Sequence, residues 1–315
     1  RKATRSKKLE VAQLVDLANR VLSERETLAG KLGGEGDAEA LEDILSVGTS
    51  AGGARAKAVL AWNRDTGEFR SGQVKVDEGY EHWLLKFDGV SNNRDKELAD
   101  PQGFGKIEYA YHLMAVEAGI DMSECRLHHE GGRSHFMTRR FDRDARGRKI
   151  HMQSLGAMQH FDFNDPAAYS YEQAILTIRD LGLGMDVVEQ QYKRAIFNIV
   201  ARNQDDHVKN ISFLMDRSGA WRLSPAYDVA YSYNPSGSWT RDHQMSLAGK
   251  RNDFSPDDLM MFASNAGLKP VRAKQVIADV MDAVGGWKRH AEKAGVEPLD
   301  VARIEKTFRM GLRGA

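Results

Sequence analysis

Asp205, Asn210 and Asp228 are residues whose types and spacing could do chemistry. Asn210 closes the run Asp205-Asp206-His207-Val208-Lys209-Asn210, and Asp228 stands alone further on. Phosphoryl transfer asks for such a set: a carboxylate beside the acceptor hydroxyl, with an amide and a second carboxylate on a Mg²⁺ ion that bridges the phosphates of ATP. On this reading Asp205 is the catalytic base, Asp206 a lesser candidate for it, and Asn210 and Asp228 the metal ligands.

The chain between them must bring them together. Ile211-Ser212-Phe213-Leu214-Met215 and Ala220-Trp221-Arg222-Leu223-Ser224 flank the polar turn Asp216-Arg217-Ser218-Gly219, a pattern that predicts an antiparallel hairpin. A register centred on the turn sets Asn210 opposite Pro225 and returns Asp228 to the end of the ribbon that holds Asp205. Taken singly, the acidic loop reads as a polar hairpin cap and Asp228 as a turn or helix-capping acid. Joined in one ribbon, they read as a site.

Upstream lies Val47-Gly48-Thr49-Ser50-Ala51-Gly52-Gly53-Ala54-Arg55-Ala56-Lys57. Small residues let backbone N–H groups approach phosphate oxygens closely. The stretch is no Walker A loop, because Ala54 follows Gly53 where that motif needs lysine, and Gly-x-Gly-x-x-Gly is also absent. In His82-Trp83-Leu84-Leu85-Lys86-Phe87, alternation puts Trp83, Leu85 and Phe87 on one face and Leu84 with Lys86 on the other. A lysine ending such a strand needs an anion. ATP phosphate would satisfy it, with Glu108, on a helix expected over 108–118, as the orienting acid. Loss of Lys86 is therefore expected to weaken ATP binding with little cost to the fold. A strand expected over 134–141 runs into the charged turn 142–148, where a hinge would lie. His128, His129 and His135 lack His-Glu-x-x-His spacing and are expected to be surface histidines flanking a turn.

Taken together, Ser50-Ala51-Gly52-Gly53-Ala54-Arg55-Ala56-Lys57, Leu85-Lys86, Arg140-Phe141-Asp142-Arg143, Asp205 to Asn210, Pro225-Ala226-Tyr227-Asp228 and Ser246-Leu247-Ala248-Gly249-Lys250 resemble the HipA-like serine/threonine kinases. These are the toxin components of bacterial toxin–antitoxin modules. The resemblance runs over about residues 46–252. It implies an α+β, two-lobed protein-kinase-like fold, with a strand-rich N-lobe over 44–150 and a mostly helical C-lobe over 151–315. Residues 1–43 would be an N-terminal helix and linker left from a longer N-terminal region. The resemblance further implies that backbone from Arg139 to Phe141 grips adenine. Ser50, Ala51, Gly52, Gly53, Ala54 and Lys57 would surround the phosphates together with Lys86 and Glu108. His207 and Lys209 would stand beside the nucleotide in the catalytic loop, and Ser50 would be autophosphorylated, ejecting its loop. Family substrates are aminoacyl-tRNA synthetases, and the usual partner is a small helix-turn-helix antitoxin. A catalytically idle ATP-binding module and a small-molecule kinase are the alternatives; a retained base and both metal ligands favour the active protein kinase.

Composition bounds the rest. The 315 residues suffice for two lobes with their own cores. Lysine plus arginine and aspartate plus glutamate each number 45, so bulk charge gives no attraction to nucleic acid or membrane. A single cysteine, Cys125, rules out an internal disulfide and fits a reducing compartment. With no signal-peptide pattern and no long apolar run, the cytoplasm is expected. A helix is expected over residues 7–30, ended by Gly30, with Leu9, Ala12, Val15, Val21 and Leu22 as its packing stripe. Helices should dominate from Tyr171 on, one of them starting at Ser255-Pro256-Asp257-Asp258 with a cap, a proline and early acids.

Overall fold

The computed structural model describes residues 8–9, 11, 57–72, 77–89, 102–165 and 167–313. These form two compact units: one holds the described residues up to Tyr109 together with Glu124–Arg148, the other Ala110–Ser123 and everything from Lys149 on. The glycine-rich stretch from Ser50 to Ala54, and most of the N-terminal helix expected over 7–30, lie outside the described residues.

The first unit is built on a six-stranded antiparallel sheet in the order β1-β3-β2-β4-β6-β5. Its strands are β1 (Lys8–Leu9), β2 (Lys57–Asn63), β3 (Phe69–Ser71), β4 (Tyr80–Lys86), β5 (Cys125–Glu130) and β6 (Arg133–Arg139). Ala58, Leu60, Trp83, Leu85, Phe87 and Met137 share one core, joined by Phe69 and Val11. The alternation read from β4 thus holds, and the buried face of the sheet supplies the driving force. Lys8–Leu9 corrects the helix expected from residue 7. It pairs with Arg70 and Phe69 of the short strand β3, whose open N–H and C=O groups bind an extended partner and override local helical periodicity. The histidine expectation is also corrected in part. His135 faces His128 across β5 and β6 and is only 1% exposed, accepting the Asp88 N–H at Nδ1.

Helix α1 (Phe104–Glu117) follows β4. Its start lies so close to β6 that a side chain at Gly105 would collide with the Ser134 carbonyl oxygen. Buried Ile107, Ala110, Tyr111, Met114 and Ala115 recur along it at helical spacing.

The second unit has a three-stranded sheet in the order β7 (His151–Ser154), β8 (Ser212–Met215), β9 (Trp221–Leu223). Around it run α2 (Leu155–Met158), α3 (Tyr171–Asp180), α4 (Met185–Val200), α5 (Pro256–Asn265), α6 (Pro270–Gly285), α7 (Trp287–Ala294) and α8 (Pro298–Glu305). Ser255 caps α5 as expected: its hydroxyl takes the Asp258 N–H while the Asp258 carboxylate takes the Ser255 N–H. Among the described residues no helix is long and apolar enough to cross a membrane.

Candidate active site

In the first unit, the register of β2 and β4 sets Lys57 directly opposite Lys86, so the two lysines share one face of the sheet. Both are buried. Like charges placed opposite one another are unfavourable unless an anion stands between them. Glu108 supplies one anion. From the second turn of α1 its Oε1 lies 2.5 Å from Lys86 Nζ, and it is 2% exposed. That burial revises the expectation that Lys86 can be lost at little cost to the fold, since its removal strands a carboxylate in the interior. Asp88 fixes the chain just after the strand, its carboxylate accepting the Gly103 and Ser134 N–H groups. At the far end of β6, the Arg139 and Arg140 N–H groups donate to the carbonyls of Glu124 and His82. Those two donors are thereby removed from the adenine grip expected of Arg139 to Phe141.

In the second unit, α4 ends at Val200, and the Tyr111 hydroxyl fixes the Ala201 carbonyl at 2.6 Å. Arg202, in left-handed backbone at φ 57°, turns the chain into the loop. Ser232 then pins it: one hydroxyl oxygen accepts the N–H groups of Gln204 at 2.7 Å and Asp205 at 3.0 Å. The neighbouring carboxylates part company there. Asp206 is buried, with Oδ2 receiving the Tyr171 hydroxyl at 2.6 Å and His243 Nδ1 at 2.7 Å, and Oδ1 the Gln244 N–H at 2.8 Å. The Asp205 side chain is 44% exposed. Its Oδ1 accepts the Trp239 indole N–H at 2.8 Å and lies 3.8 Å from His207 Nε2.

Asn210 donates Nδ2 to the Asp205 carbonyl at 2.8 Å, which leaves its side-chain oxygen as the remaining acceptor. Hairpin β8–β9 pairs Phe213 with Leu223 and Met215 with Trp221, and the Ser224 N–H reaches the Ser212 carbonyl. This register is one residue away from the expected one, so Asn210 does not oppose Pro225; the turn closes through the Asp216 N–H on the Ala220 carbonyl. The hairpin also takes β7 as a third strand, which the two-run pattern did not reveal. The Tyr227 hydroxyl meets both the Lys209 carbonyl and the Ser212 hydroxyl at 2.5 Å, clipping the returning chain to the loop. Asp228 follows in left-handed backbone at φ 52°. It lines one cavity with Asp206, His207, Asn210 and Arg194. Lys209 Nζ lies over the Phe163 ring.

Electrostatics separates the two acids further. The protein packed around the loop desolvates the Asp205 carboxylate even though its side chain is half-exposed, and this raises its pKa, with Asp228 and Asp206 adding to the rise and His207 and the Trp239 hydrogen bond opposing it. Burial presses Asp206 the same way, but His243, Tyr171 and the Gln244 N–H together outweigh it and hold that acid below its ordinary value. Desolvation lowers Lys209 against the pull of Asp205. Burial pushes the Cys125 thiol up to about 12, which leaves it inert. Among the described residues, no group of three or more His, Cys, Asp and Glu side chains could hold a metal. Mg²⁺ needs no such cage: it keeps waters and takes one or two protein oxygens plus substrate phosphate. The Asn210 amide oxygen and the Asp228 carboxylate are hard donors that fit it.

Trp239, Ser232, Tyr171 and His243 went unread in the sequence. One signal was present: the sequence after Asp228 reads as a long loop, the structure has no helix or strand over 224–255, and loops beyond about 15 residues inside a compact domain are usually functional.

A curated relative from Sinorhizobium fredii (strain NBRC 101917 / NGR234), named "Putative kinase Y4mE", is 27% identical over 207 residues. The match covers 61% of this chain and 48% of the relative, so the chain spans about half the length of the curated protein it matches. Among solved structures, a chain of the Shewanella oneidensis MR-1 toxin–antitoxin complex of HipA, HipB and operator DNA is similar with a TM-score of 0.66 at 16% identity. That likeness covers 99% of this chain and 71% of the other, and it is a likeness of fold. The proinflammatory kinase CtkA of Helicobacter pylori is more distant, at a TM-score of 0.44 and 10% identity over 74% of this chain and 89% of its own. The fold is the kinase-like α+β one. The HipA-like C-terminal domain pattern matches residues 49–287, and the chain belongs to that family.

Proposed function

We propose that this family member is a Mg²⁺- and ATP-dependent serine/threonine protein kinase of the HipA toxin type. The contrast between Asp205 and Asp206 carries the reading. Asp206 has both oxygens engaged by protein donors, whereas Asp205 keeps a half-exposed carboxylate with a raised pKa, as a general base requires. An idle nucleotide-binding module has no use for such a group.

The residues then divide the work. Asp205 accepts the proton of the serine or threonine hydroxyl that attacks the γ-phosphate. Asn210 and Asp228 would hold Mg²⁺, which neutralises charge on the phosphates when bound. Lys57 and Lys86, on one sheet face, balance phosphate charge, with Glu108 orienting Lys86. His207 and Lys209 add positive or donor groups beside the base. With the Arg139 and Arg140 N–H groups engaged, backbone carbonyls within Arg139 to Phe141 receive adenine, and the stretch Ser50, Ala51, Gly52, Gly53, Ala54 wraps the phosphates, with Ser50 as the autophosphorylation site. We assign a translation-related substrate such as an aminoacyl-tRNA synthetase, a helix-turn-helix antitoxin as partner, and the cytoplasm as compartment. The Shewanella oneidensis complex of HipA with HipB supports the partner assignment by likeness of fold.

The test is incubation with labelled ATP and Mg²⁺, alone and with cell lysate, followed by mass spectrometry of every phosphorylated site. Label is expected on protein serine or threonine, Ser50 included, and is expected to vanish in Asp205→Asn. Undiminished transfer by Asp205→Asn overturns the base assignment, and label confined to small molecules overturns the protein-kinase reading.

A further inference from the structure

His243 and Arg309 belong to none of the roles above, yet they end a continuous buried chain that begins at Asp206. His243 is fully buried, its Nδ1 at 2.7 Å from Asp206 Oδ2. Its other nitrogen, Nε2, lies 2.9 Å from Arg309 NH1. A guanidinium carries only donors, so Nε2 must accept. The imidazole is therefore neutral, with its one proton on Nδ1 and directed at Asp206. Arg309 is itself fixed on every side: NH1 also reaches the Ile199 carbonyl at 2.8 Å, NH2 reaches Asn252 Oδ1 at 2.7 Å, and its backbone N–H reaches the Val200 carbonyl. Those carbonyls are the last turn of the helix that delivers the catalytic loop.

The segment carrying His243 is anchored as firmly. Gln244 donates its N–H to Asp206 Oδ1. The Ser246 N–H donates to the Tyr169 carbonyl, the Tyr171 N–H to the Ser246 carbonyl, and the Ala248 N–H to Glu172 Oε1. The stretch from Ser246 to Lys250, which the nucleotide chemistry leaves without a task, is a strap that zips His243 and Gln244 to the start of α3. That start also supplies Tyr171, the third donor to Asp206.

We infer that His243 and Arg309 are positioning residues: they hold the catalytic loop by Asp206, with Arg309 fixing the tautomer that lets His243 donate. The loop then presents Asp205 with its carboxylate outward, while its neighbour serves as the anchor. The effect on turnover rests on the kinase reading, but the effect on the loop does not.

The experiment compares wild type, His243→Leu, His243→Asn and Arg309→Leu by amide hydrogen exchange, kcat and titration of Mg²⁺-ATP. Asparagine places an N–H donor where Nδ1 stood and serves as the rescue. In His243→Leu, exchange in the 203–210 peptide is expected to quicken by about tenfold or more while helix Pro270–Gly285 stays unchanged. In the same variant kcat is expected to fall about tenfold or more, with the dissociation constant of Mg²⁺-ATP moving less than about threefold. His243→Asn should bring both back to within about threefold of wild type. If His243→Leu does not fold, Arg309→Leu carries the same comparison. Unchanged loop exchange, or equal quickening in Pro270–Gly285, overturns the inference. If exchange follows the expected pattern but wild type transfers no phosphate, the positioning role stands and the kinase reading falls.

Discussion

The Lys86–Glu108 contact of the first unit and the Asp206–His243 contact of the second are alike in bare description, each a buried polar pair at 2.5 and 2.7 Å. Their surroundings differ. Asp206 is closed in by the Tyr171 hydroxyl, the Gln244 N–H and, beyond His243, the Arg309 guanidinium. Lys86 stands on a sheet face with a second ammonium, that of Lys57, opposite it. A fully satisfied network rigidifies what it touches, whereas two ammonium groups facing each other across a strand pair concentrate positive charge on one sheet face. The first arrangement fixes geometry, and the second sets the charge that the proposed function gives to phosphate.

The comparison breaks most visibly at Asp205, the one carboxylate of the loop left half-open. Asp205→Asn is expected to cut phosphate transfer by about 10²–10⁴-fold while Mg²⁺-ATP affinity shifts less than about threefold, measured by label transfer and calorimetry. Near wild-type turnover would move the base elsewhere.

Next in size is Asp206→Ala, which strands three donors in the interior and is expected to cost about 3–5 kcal/mol in urea unfolding. Asp206→Asn keeps one acceptor oxygen and should lose less. A loss in Asp206→Ala no larger than that of an ordinary surface substitution would show that the network is not closed. Lys86→Met tests the other side. It is expected to weaken Mg²⁺-ATP by about tenfold and, because Glu108 stays buried, to cost about 2–3 kcal/mol of stability. Weak ATP binding with unchanged stability would mean that Glu108 finds another cation on that face.

The smallest effect is one of sign. Asp206 has a lowered folded pKa, so the stability it contributes is present above the ordinary value near 3.9 and drains away as pH falls through the lower folded one. Asp206→Asn should flatten the acid limb of a melting-temperature profile below about pH 4. Asp205, raised instead, favours the fold when protonated and loses that contribution as pH rises through its folded pKa. Asp205→Asn should therefore melt slightly higher than wild type near neutrality. A lower melting point would contradict the raised value.

Much of this was legible in the sequence because it is local. The alternation of Trp83, Leu85 and Phe87, the cap at Ser255 and the turn at Asp216 depend on residues within a few positions of one another. The hairpin was legible too, but not its register, since shifting by one residue changes no composition and moves each side chain to the opposite face. What stayed hidden depends on sequence-distant partners. Trp239 meets Asp205 from 34 positions away and Arg309 meets His243 from 66, in stretches with no periodicity to announce them. At Lys8–Leu9 a distant partner overrode the local pattern altogether.

Trp239 also gives the loop an optical gauge. Its indole N–H ends on the carboxylate oxygen of Asp205, so charge gained, lost or screened at that oxygen alters the field across the chromophore. Trp83 likewise meets a carboxylate, donating its indole N–H to Glu81 at 3.3 Å, whereas the Trp287 indole N–H ends on the Val301 carbonyl, which does not titrate. The part of the native fluorescence that Trp239→Phe removes therefore carries a readout of the charge on Asp205.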